Sequence, residues 1–374
     1  METDTITRTR ISYEQLQALE VSQQYLHKLN LQNKFLIIGC GSIGRRHALN
    51  LRKRGGIDLL LFDVDLERVE ELAAEVKGTC AESLESAFRE KPCAAMICTP
   101  TATHLGFAHQ ALQSDCHLFI EKPISHSMDG VDALLAQSRQ RGKIVMAGYS
   151  FRFDLLVRRV QALIKNERIG RVTSARLHSG SHLPWRHPWE DYRIGYAARK
   201  GLGGGVILDA VHELDLAIWL FGRPETVYCV GGTFSDLDID VEDCAEITLA
   251  YANRVVSIHL DYVQQPASRT YEFMGTRGQI KADLFARELR IFDSASRKWK
   301  LSAGVGTLDE MYESELEHFI GCIERGEKPE VDGTVAAESL LLAEIAKESI
   351  HAGLPLSFEE YVGERTSLRS FASV

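Results

Sequence analysis

The sequence predicts an α/β domain followed by an α+β domain, and three observations lead to this fold class. A length of 374 residues exceeds the size at which one hydrophobic core stops growing. From residue 34 to about 150, short apolar runs alternate with helical stretches, which is typical of βαβ units around a parallel sheet. Beyond residue 150, a run of strands joined by short turns favours a large, mostly antiparallel open sheet.

The pattern divides the chain into four parts. They are an N-terminal helical extension (1–33), the α/β domain (34–150), the α+β domain (151–356) and a C-terminal tail (357–374). In the α/β domain we predict strands at 34–38, 58–62, 93–98, 117–120 and 143–147. In the α+β domain we predict helices near 154–166 and 206–221, strands near 224–233, 243–251, 254–264, 270–276, 279–284 and 288–293, and final helices at 308–325 and 334–351.

Composition excludes several classes of partner. The formal net charge is −9, which leaves no basic face for a nucleic acid backbone. Apolar runs are far shorter than the roughly 20 residues that span a bilayer, and residues 1–10 lack a secretory pattern, so we expect a cytoplasmic protein without a membrane partner. The histidines at 178, 182 and 187 match no metal-binding spacing, and we expect no metal site.

Three glycines follow the first predicted strand in the order G-x-G-x-x-G. Gly39 permits a tight turn, Gly41 lets a pyrophosphate approach the backbone, and Gly44 lets the next helix lie close to the strand. Ser42 and Ile43 begin that helix, whose first amides face the anion. The motif predicts a Rossmann domain that binds a dinucleotide.

The acid at the end of the second strand bears on which dinucleotide is bound. Asp63 lies 19 residues beyond Gly44, where a carboxylate accepts hydrogen bonds from ribose hydroxyls and repels a 2′-phosphate. We therefore favour NAD. NADP stays an alternative, because Arg68 or a neighbouring arginine can pair with the extra phosphate.

Several further motifs resemble those of the Gfo/Idh/MocA oxidoreductases. They are Glu121-Lys122-Pro123 after a strand, Cys98-Thr99-Pro100 with His104, and Gly203-Gly204-Gly205 leading to Asp209, His212 and Asp215. The resemblance covers nearly everything from residue 34 to about 356. It implies hydride transfer at a carbinol carbon of a sugar, cyclitol or nucleotide-activated sugar, with Lys122 beside the nicotinamide, and cofactor contacts from Thr99, Pro100, His104 and Glu121.

The residues themselves agree with catalytic roles for Lys122 and His212. A lysine at the carboxyl end of a sheet strand lies where open α/β sheets bind ligands, and an amine there can exchange a proton with an alcohol. His212 lies three residues from both Asp209 and Asp215, whereas the family spacing sets the histidine four residues after the aspartate. Either acid can therefore assist His212, and Asp209 is alternatively a helix N-cap.

Three other positions are candidate ligand contacts. In the aromatic and basic segment 182–193, Arg186, Tyr192 and Arg193 are candidates for contacts to a substrate diphosphate or to sugar hydroxyls. Arg152 lies where the chain leaves the first domain, so we expect it to line the cofactor cleft. The open sheet face of the second domain needs cover, so we expect a homodimer or homotetramer.

Two other functions are compatible with the same motifs. One is a lyase or glycosidase that keeps NAD bound and acts by transient oxidation. The other is a non-catalytic NAD-binding regulator. The presence of Glu121, Lys122 and His212 argues against a regulator, because a sensor needs none of these side chains.

Overall fold

The computed structural model describes residues 33–303 and 306–371. The helical extension expected over 1–33 lies outside the described residues apart from residue 33. Among the helices that the structure does describe, none is long and apolar enough to cross a membrane.

The first domain is built on a parallel sheet, which has six strands within the described residues, in the order β3-β2-β1-β4-β5-β6. Its interior strands are almost wholly buried, which explains their continuous runs of Ile, Leu, Ala and Met. The elements are β1 (Lys34–Ile38), α1 (Ser42–Arg54), β2 (Asp58–Phe62), α2 (Leu66–Val76), β3 (Thr79–Cys80), α3 (Leu84–Arg89), β4 (Ala94–Ile97), α4 (His104–Gln113), β5 (His117–Glu121), α5 (Val131–Gln140) and β6 (Val145–Gly148).

The second domain carries a sheet that has nine strands within the described residues, in the order β14-β13-β12-β11-β7-β10-β9-β8-β15. Strands β7 and β10 run parallel and the other neighbours are antiparallel. The elements are α6 (Leu155–Lys165), β7 (Val172–Gly180), α7 (Leu183–Arg186), α8 (Val206–Asp209), α9 (His212–Phe221), β8 (Thr226–Gly232), β9 (Cys244–Tyr251), β10 (Arg254–Asp261), β11 (Ser268–Gly275), β12 (Gly278–Asp283), β13 (Glu288–Asp293), β14 (Lys298–Ala303), α10 (Leu308–Arg325), α11 (Gly333–Ala352), β15 (Leu356–Ser357) and α12 (Phe358–Phe371).

The prediction of a parallel sheet followed by a mostly antiparallel one is confirmed, although the pattern missed β7, a strand in the middle of the second sheet, the edge strand β14 and the two-residue strands β3 and β15. Only Val172, Ala175, Leu177 and Gly180 of β7 are buried, and polar residues separate them, so its apolar signal is weak. The range 357–374, expected as a tail, contains the end of β15 and the helix α12, which begins at the fully buried Phe358.

The helix predicted over 206–221 is interrupted. Helix α8 ends at Asp209 and α9 begins at His212, with Ala210 and Val211 between them. Gly205, at φ +108°, is the N-cap residue of α8, so the alternative role of Asp209 as an N-cap is wrong. The interruption changes the angular relation of Asp209 to His212, which a single helical wheel cannot predict.

Local sequence signals explain where other helices begin and end. Thr307 and Glu310 form a reciprocal capping box at the start of α10, and the side chain of Asp332 accepts from the amide of Val335 at the start of α11. Helices α10 and α11 end at Gly326 and Gly353, whose left-handed conformations suit glycine. The helices predicted at 308–325 and 334–351 therefore agree with α10 and α11 to within one residue at each end.

Arg152 is a buried structural residue, which corrects our expectation that it lines the cofactor cleft. Its Nε and Nη2 donate to Asp215 at 2.8 and 2.7 Å, and its guanidinium lies over the ring of Trp219. Ser339 on α11 also donates to Asp215 at 2.8 Å. The pair therefore ties the start of the second domain to helices α9 and α11, and Asp215 is not free to assist His212.

Replacement of Arg152 by Met should destabilise the protein by about 3–5 kcal/mol, because it leaves the Asp215 carboxylate buried without its counter-ion. Urea denaturation followed by circular dichroism measures the change. Glu90→Gln is the matched control. It removes the exposed Lys34–Glu90 pair and should leave the free energy of unfolding nearly unchanged. Equal losses in the two variants would contradict a structural role for Arg152.

Candidate active site

The predicted ligand-binding residues meet at one edge of the parallel sheet. Strands β2, β1, β4 and β5 are neighbours, and their carboxyl ends are followed by Asp63, the glycine loop, Thr99-Pro100 and Lys122. The strand order reverses between β1 and β4, and open α/β sheets bind ligands at such a point. The fold therefore brings together residues that are up to 83 positions apart in sequence.

The three glycines of the loop differ in how much room surrounds them. Gly39 and Gly44 have no space for a side chain, whereas Gly41 has. Gly39 has φ +96°, and a Cβ there would lie 2.7 Å from the carbonyl oxygen of Cys98. A Cβ on Gly44 would lie 1.9 Å from the carbonyl oxygen of Gly39. At Gly41, however, the nearest atom to an added Cβ is a guanidinium nitrogen of Arg68 at 3.7 Å. Gly41 therefore faces open space beside a cation.

The start of α1 fits an anion. Its N-cap residue is Gly41, no side chain caps it, and its first turn contains no acid. The backbone amides of this turn are therefore available to a pyrophosphate. Ser42 is exposed and Ile43 half-buried, so both lie on the accessible side of the loop.

The carboxylate of Asp63 is held at the loop by backbone amides. Its Oδ2 accepts from Cys40 N at 2.6 Å and its Oδ1 accepts from Asp65 N at 3.1 Å. This arrangement fixes an anion next to the glycine loop, where ribose hydroxyls of a dinucleotide would lie. The loop, the helix terminus and the acid together fit NAD.

The other residues that the resemblance linked to the cofactor divide into two groups. Thr99 is half-buried and Pro100 is exposed, so both can meet a ligand. His104 and Glu121 are buried. His104 lies between the carbonyl oxygens of Pro123 and Thr99 at 2.9 and 2.8 Å, and Glu121 contacts His47. The side chains of His104 and Glu121 therefore lie on the interior side of the site and support its backbone.

Lys122 reaches across the domain boundary to Asp209. Its Nζ donates to the carbonyl oxygen of Asp209 at 2.6 Å and to Oδ1 at 3.3 Å. Tyr196 Oη donates to the same Oδ1 at 2.6 Å, and Arg186 Nη1 donates to Oδ2. One carboxylate thus holds a lysine from the first domain and an arginine and a tyrosine from the second.

The charges of this cluster determine which group can carry a proton. Burial by itself raises the pKa of Asp209, but the ammonium of Lys122 and the guanidinium of Arg186 more than offset it, so the pKa lies well below its usual range. Asp209 therefore stays ionised at neutral pH. Its carboxylate binds Lys122 and Arg186 and carries no proton to donate at neutral pH.

His212 is buried at the start of α9, beside two aromatic rings. Its ring packs edge-on against Phe151 and Tyr149, at centroid distances of 4.8 and 5.9 Å. Burial lowers the pKa of His212 well below its usual value, and the positive charges of Lys122 and Arg269 lower it further. The imidazole is therefore neutral at pH 7, and one of its two ring nitrogens carries no proton.

Tyr192 and Arg193 lie outside this cluster, in contrast to Arg186. Tyr192 Oη accepts from the amide of Asp238, and Arg193 forms an exposed pair with Asp191 at 2.7 Å. Both side chains thus find partners within their own surface region. Arg186 is the residue of the segment 182–193 that the structure brings to Lys122, through Asp209.

Sequence reasoning missed Tyr196 and Arg269 as members of the site. Tyr196 lies three residues beyond the segment 182–193, and a tyrosine near such a basic cluster is a usable signal. Arg269 forms a buried pair with Glu213 at 2.8 Å, and its guanidinium lies 4.3 Å from the ring centre of Phe151, which packs on His212. The position of Arg269 in the sequence gave no indication that it would contact Phe151.

Gly41→Ala should fold normally and bind NADH about tenfold more weakly, because the added methyl group meets no protein atom closer than 3.7 Å but occupies the approach to the backbone amides. NADH fluorescence titration and thermal unfolding measure the two effects. Gly106→Ala, where an added Cβ meets nothing within 4 Å, is the control and should leave the NADH affinity unchanged while raising the thermal stability slightly, because Gly106 lies within helix α4. Unchanged affinity in Gly41→Ala would show that the dinucleotide does not contact this turn.

His212 should make stability depend on pH. Its pKa is lowered in the folded state, so below an unfolded value of about 6.5 the unfolded chain binds a proton that the folded protein excludes. This contribution is present above about pH 6.5 and decreases as pH falls, by at most about 1.4 kcal/mol per pH unit. Relative to His212→Asn, the wild type should lose free energy of unfolding between about pH 6.5 and 5. If the wild type and His212→Asn lose the same free energy of unfolding over this pH range in urea denaturation, the imidazole of His212 titrates normally in the folded protein.

Comparison with known families gives matches to both domains. Residues 33–149 match the family described as "Oxidoreductase family, NAD-binding Rossmann fold". Residues 157–281 match the "GFO/IDH/MocA C-terminal domain". Together the two matches cover more than half of the chain.

Individual relatives and solved structures are similar over most of the chain. Myo-inositol 2-dehydrogenase of Thermotoga maritima is 27% identical over 347 residues, which are 87% of this chain and 99% of the relative. UDP-N-acetylglucosamine 3-dehydrogenase of Acidithiobacillus ferrooxidans is 31% identical over 199 residues, 52% of this chain and 56% of the relative. The fold is shared with an oxidoreductase from Agrobacterium radiobacter in complex with NAD⁺, L-tartaric acid and magnesium, at a TM-score of 0.78 and 18% identity, covering 88% of this chain and 99% of that one. With the two family matches and the glycine loop, these similarities establish that the chain belongs to the Gfo/Idh/MocA family of NAD-binding oxidoreductases.

Proposed function

We propose that the protein is a dehydrogenase or reductase that transfers hydride between NAD and a carbinol or carbonyl carbon of a small sugar or cyclitol. The observation that carries the proposal is the position of Lys122. Its ammonium lies at the carboxyl edge of the NAD-binding sheet, on an ionised Asp209 and near a neutral His212.

The residues supply complementary proton chemistry for either direction. NAD, when bound, accepts or supplies the hydride. In oxidation, neutral His212 is suited to take the hydroxyl proton while the ammonium of Lys122 stabilises the developing charge on oxygen. In reduction, the ammonium of Lys122 is suited to protonate the oxygen. Asp209 holds Lys122 in place for both directions.

The charges around the site favour a polyol without a diphosphate. Arg186 is engaged by Asp209 and Arg193 by Asp191, so the two arginines that the sequence offered for a diphosphate already have anionic partners. The similarity to a myo-inositol dehydrogenase over almost the whole length supports a cyclitol or free sugar. Nucleotide-activated sugars are the second class to test, because a UDP-N-acetylglucosamine dehydrogenase is among the relatives.

Assembly and location complete the proposal. We infer a homodimer or homotetramer, because Tyr228, Val230 and Val255 are 38%, 52% and 40% exposed on the strands β8 and β10. We infer a cytoplasmic location because the eight cysteines, all within the described residues, are free thiols, as expected in a reducing compartment.

A screen of NAD and NADP with free sugars, cyclitols and nucleotide sugars, followed at the absorbance of the reduced nicotinamide, tests the function. We expect net NADH from cyclitols or free sugars. Lys122→Ala should lower kcat by about 10²- to 10⁴-fold with NADH affinity nearly unchanged. Lys281→Ala, which removes a lysine paired with Glu272 in the second sheet, is the control and should keep full activity.

Other results of the screen separate the alternatives. Substrate turnover without net NADH would instead support a lyase that oxidises its substrate transiently. NADH binding without turnover of any compound would support a regulator. Full activity of Lys122→Ala would remove the lysine from the chemistry.

A further inference from the structure

A buried histidine lies behind the turn that carries Lys122. His47 Nε2 donates to Glu121 Oε1 at 2.7 Å, and Glu121 Oε2 accepts from the backbone amide of Lys122 at 3.2 Å. His47 is fully buried and Glu121 is 7% exposed. One carboxylate therefore joins an imidazole on its inner side to the backbone of the lysine on its outer side.

The surroundings fix the carboxylate of Glu121 in this orientation. Gly148 lies opposite Glu121 on β6, and an added Cβ there would come within 3.1–3.2 Å of all three carboxyl atoms. Nearby Glu315 is buried, and burial, together with the charge of Glu121, raises its pKa well above the usual range, so it stays neutral. The limited space and the neutral neighbour therefore favour a single orientation of the Glu121 carboxylate.

His47 also belongs to the helix that starts at the glycine loop. It lies on α1, three residues after Gly44, and its ring packs edge-on against Phe119 at 5.0 Å and Tyr312 at 6.1 Å. The buried Phe119 on β5 and the half-buried Tyr312 on α10 therefore hold the imidazole in place. The helix whose first turn faces the dinucleotide is connected through this ring to the turn that bears the reacting amine.

We propose that His47 is a positioning residue for Lys122, acting through Glu121 to hold the lysine turn at a fixed distance from the dinucleotide-binding helix. Without the His47–Glu121 hydrogen bond, the turn that bears Lys122 is no longer fixed to the rest of the first domain. The ammonium of Lys122 then moves away from Asp209. Small misplacements of a reacting group are costly to turnover, because proximity provides much of the rate. His104 supports the same turn from the other side, at the carbonyl oxygen of Pro123.

The variants separate positioning from general stability. His47→Leu removes the donor, whereas His47→Gln replaces it with an amide nitrogen that can reach the same carboxylate. His117→Leu is the matched control, since His117 accepts from the amide of Ile144 at the opposite end of the same strand, β5. Glu121→Gln is a second variant, because His47 and the Lys122 amide donate to different oxygens of Glu121, and glutamine has an NH2 group in place of one of them.

The first measurement needs no substrate. Acetylation of Lys122 in the NAD-free protein, followed by peptide mass spectrometry and normalised to the exposed Lys328, reports whether the amine leaves Asp209. We expect acetylation of Lys122 to rise about fivefold or more in His47→Leu and Glu121→Gln, and to stay within about twofold of the wild type in His47→Gln and His117→Leu.

The second measurement is kinetic and rests on the proposed function. His47→Leu should lower kcat by about 10- to 100-fold while the KM for NAD changes little, and His47→Gln should restore most of the loss. If the wild type turns over no substrate, the proposed function fails and the acetylation result alone decides the role of His47.

Wild-type acetylation of Lys122 in both His47→Leu and Glu121→Gln would overturn the proposal. Equal acetylation in His47→Leu and His117→Leu would also overturn it, since the effect would then be general loosening of the domain. If His47→Leu does not fold, Glu121→Gln and the comparison of His47→Gln with the wild type decide in the same way.

Discussion

The carboxylate of Asp209 is the contact on which the site depends, because it joins the two domains where the chemistry is expected. It binds Lys122 of the first domain and Arg186 and Tyr196 of the second. A buried carboxylate is costly to desolvate unless its charge is matched and its oxygens are hydrogen-bonded, and all three partners contribute to that. The same contacts keep Asp209 ionised and Lys122 oriented, so one interaction fixes both the charge and the geometry of the site.

Further buried ion pairs hold the elements that surround this contact. Arg152 and Asp215 join the start of the second domain to α9, and Arg269 and Glu213 join β11 to the same helix. Such pairs contribute little net free energy compared with apolar packing, but breaking one partner is strongly destabilising. They therefore specify one position of α9, and hence of His212 at its first residue, more than they add to stability.

The sequence was sufficient to predict the elements whose signals are local. The glycine loop, the alternation of apolar runs and helices, and the turns between strands depend on neighbouring residues and backbone sterics. Strand β7 was missed because polar residues separate its few buried side chains, so its apolar pattern is weak. Its partners in the sheet, β10 and β11, are distant in sequence and give no local signal. Arg152 was placed wrongly, because a position at the domain boundary says nothing about whether a guanidinium finds a buried carboxylate such as Asp215.

By itself, the sequence determined the two-domain architecture, the dinucleotide corner from Gly39 to Gly44, and the candidacy of Lys122, Asp209 and His212, because these depend on short-range patterns. Only the tertiary structure decided that Asp209 anchors Lys122 while Asp215 pairs with a structural arginine, and that His47 supports the lysine turn from behind. Those choices depend on which charges become neighbours after burial. Burial and charge pairing are properties of the folded chain as a whole, and no local spacing contains them.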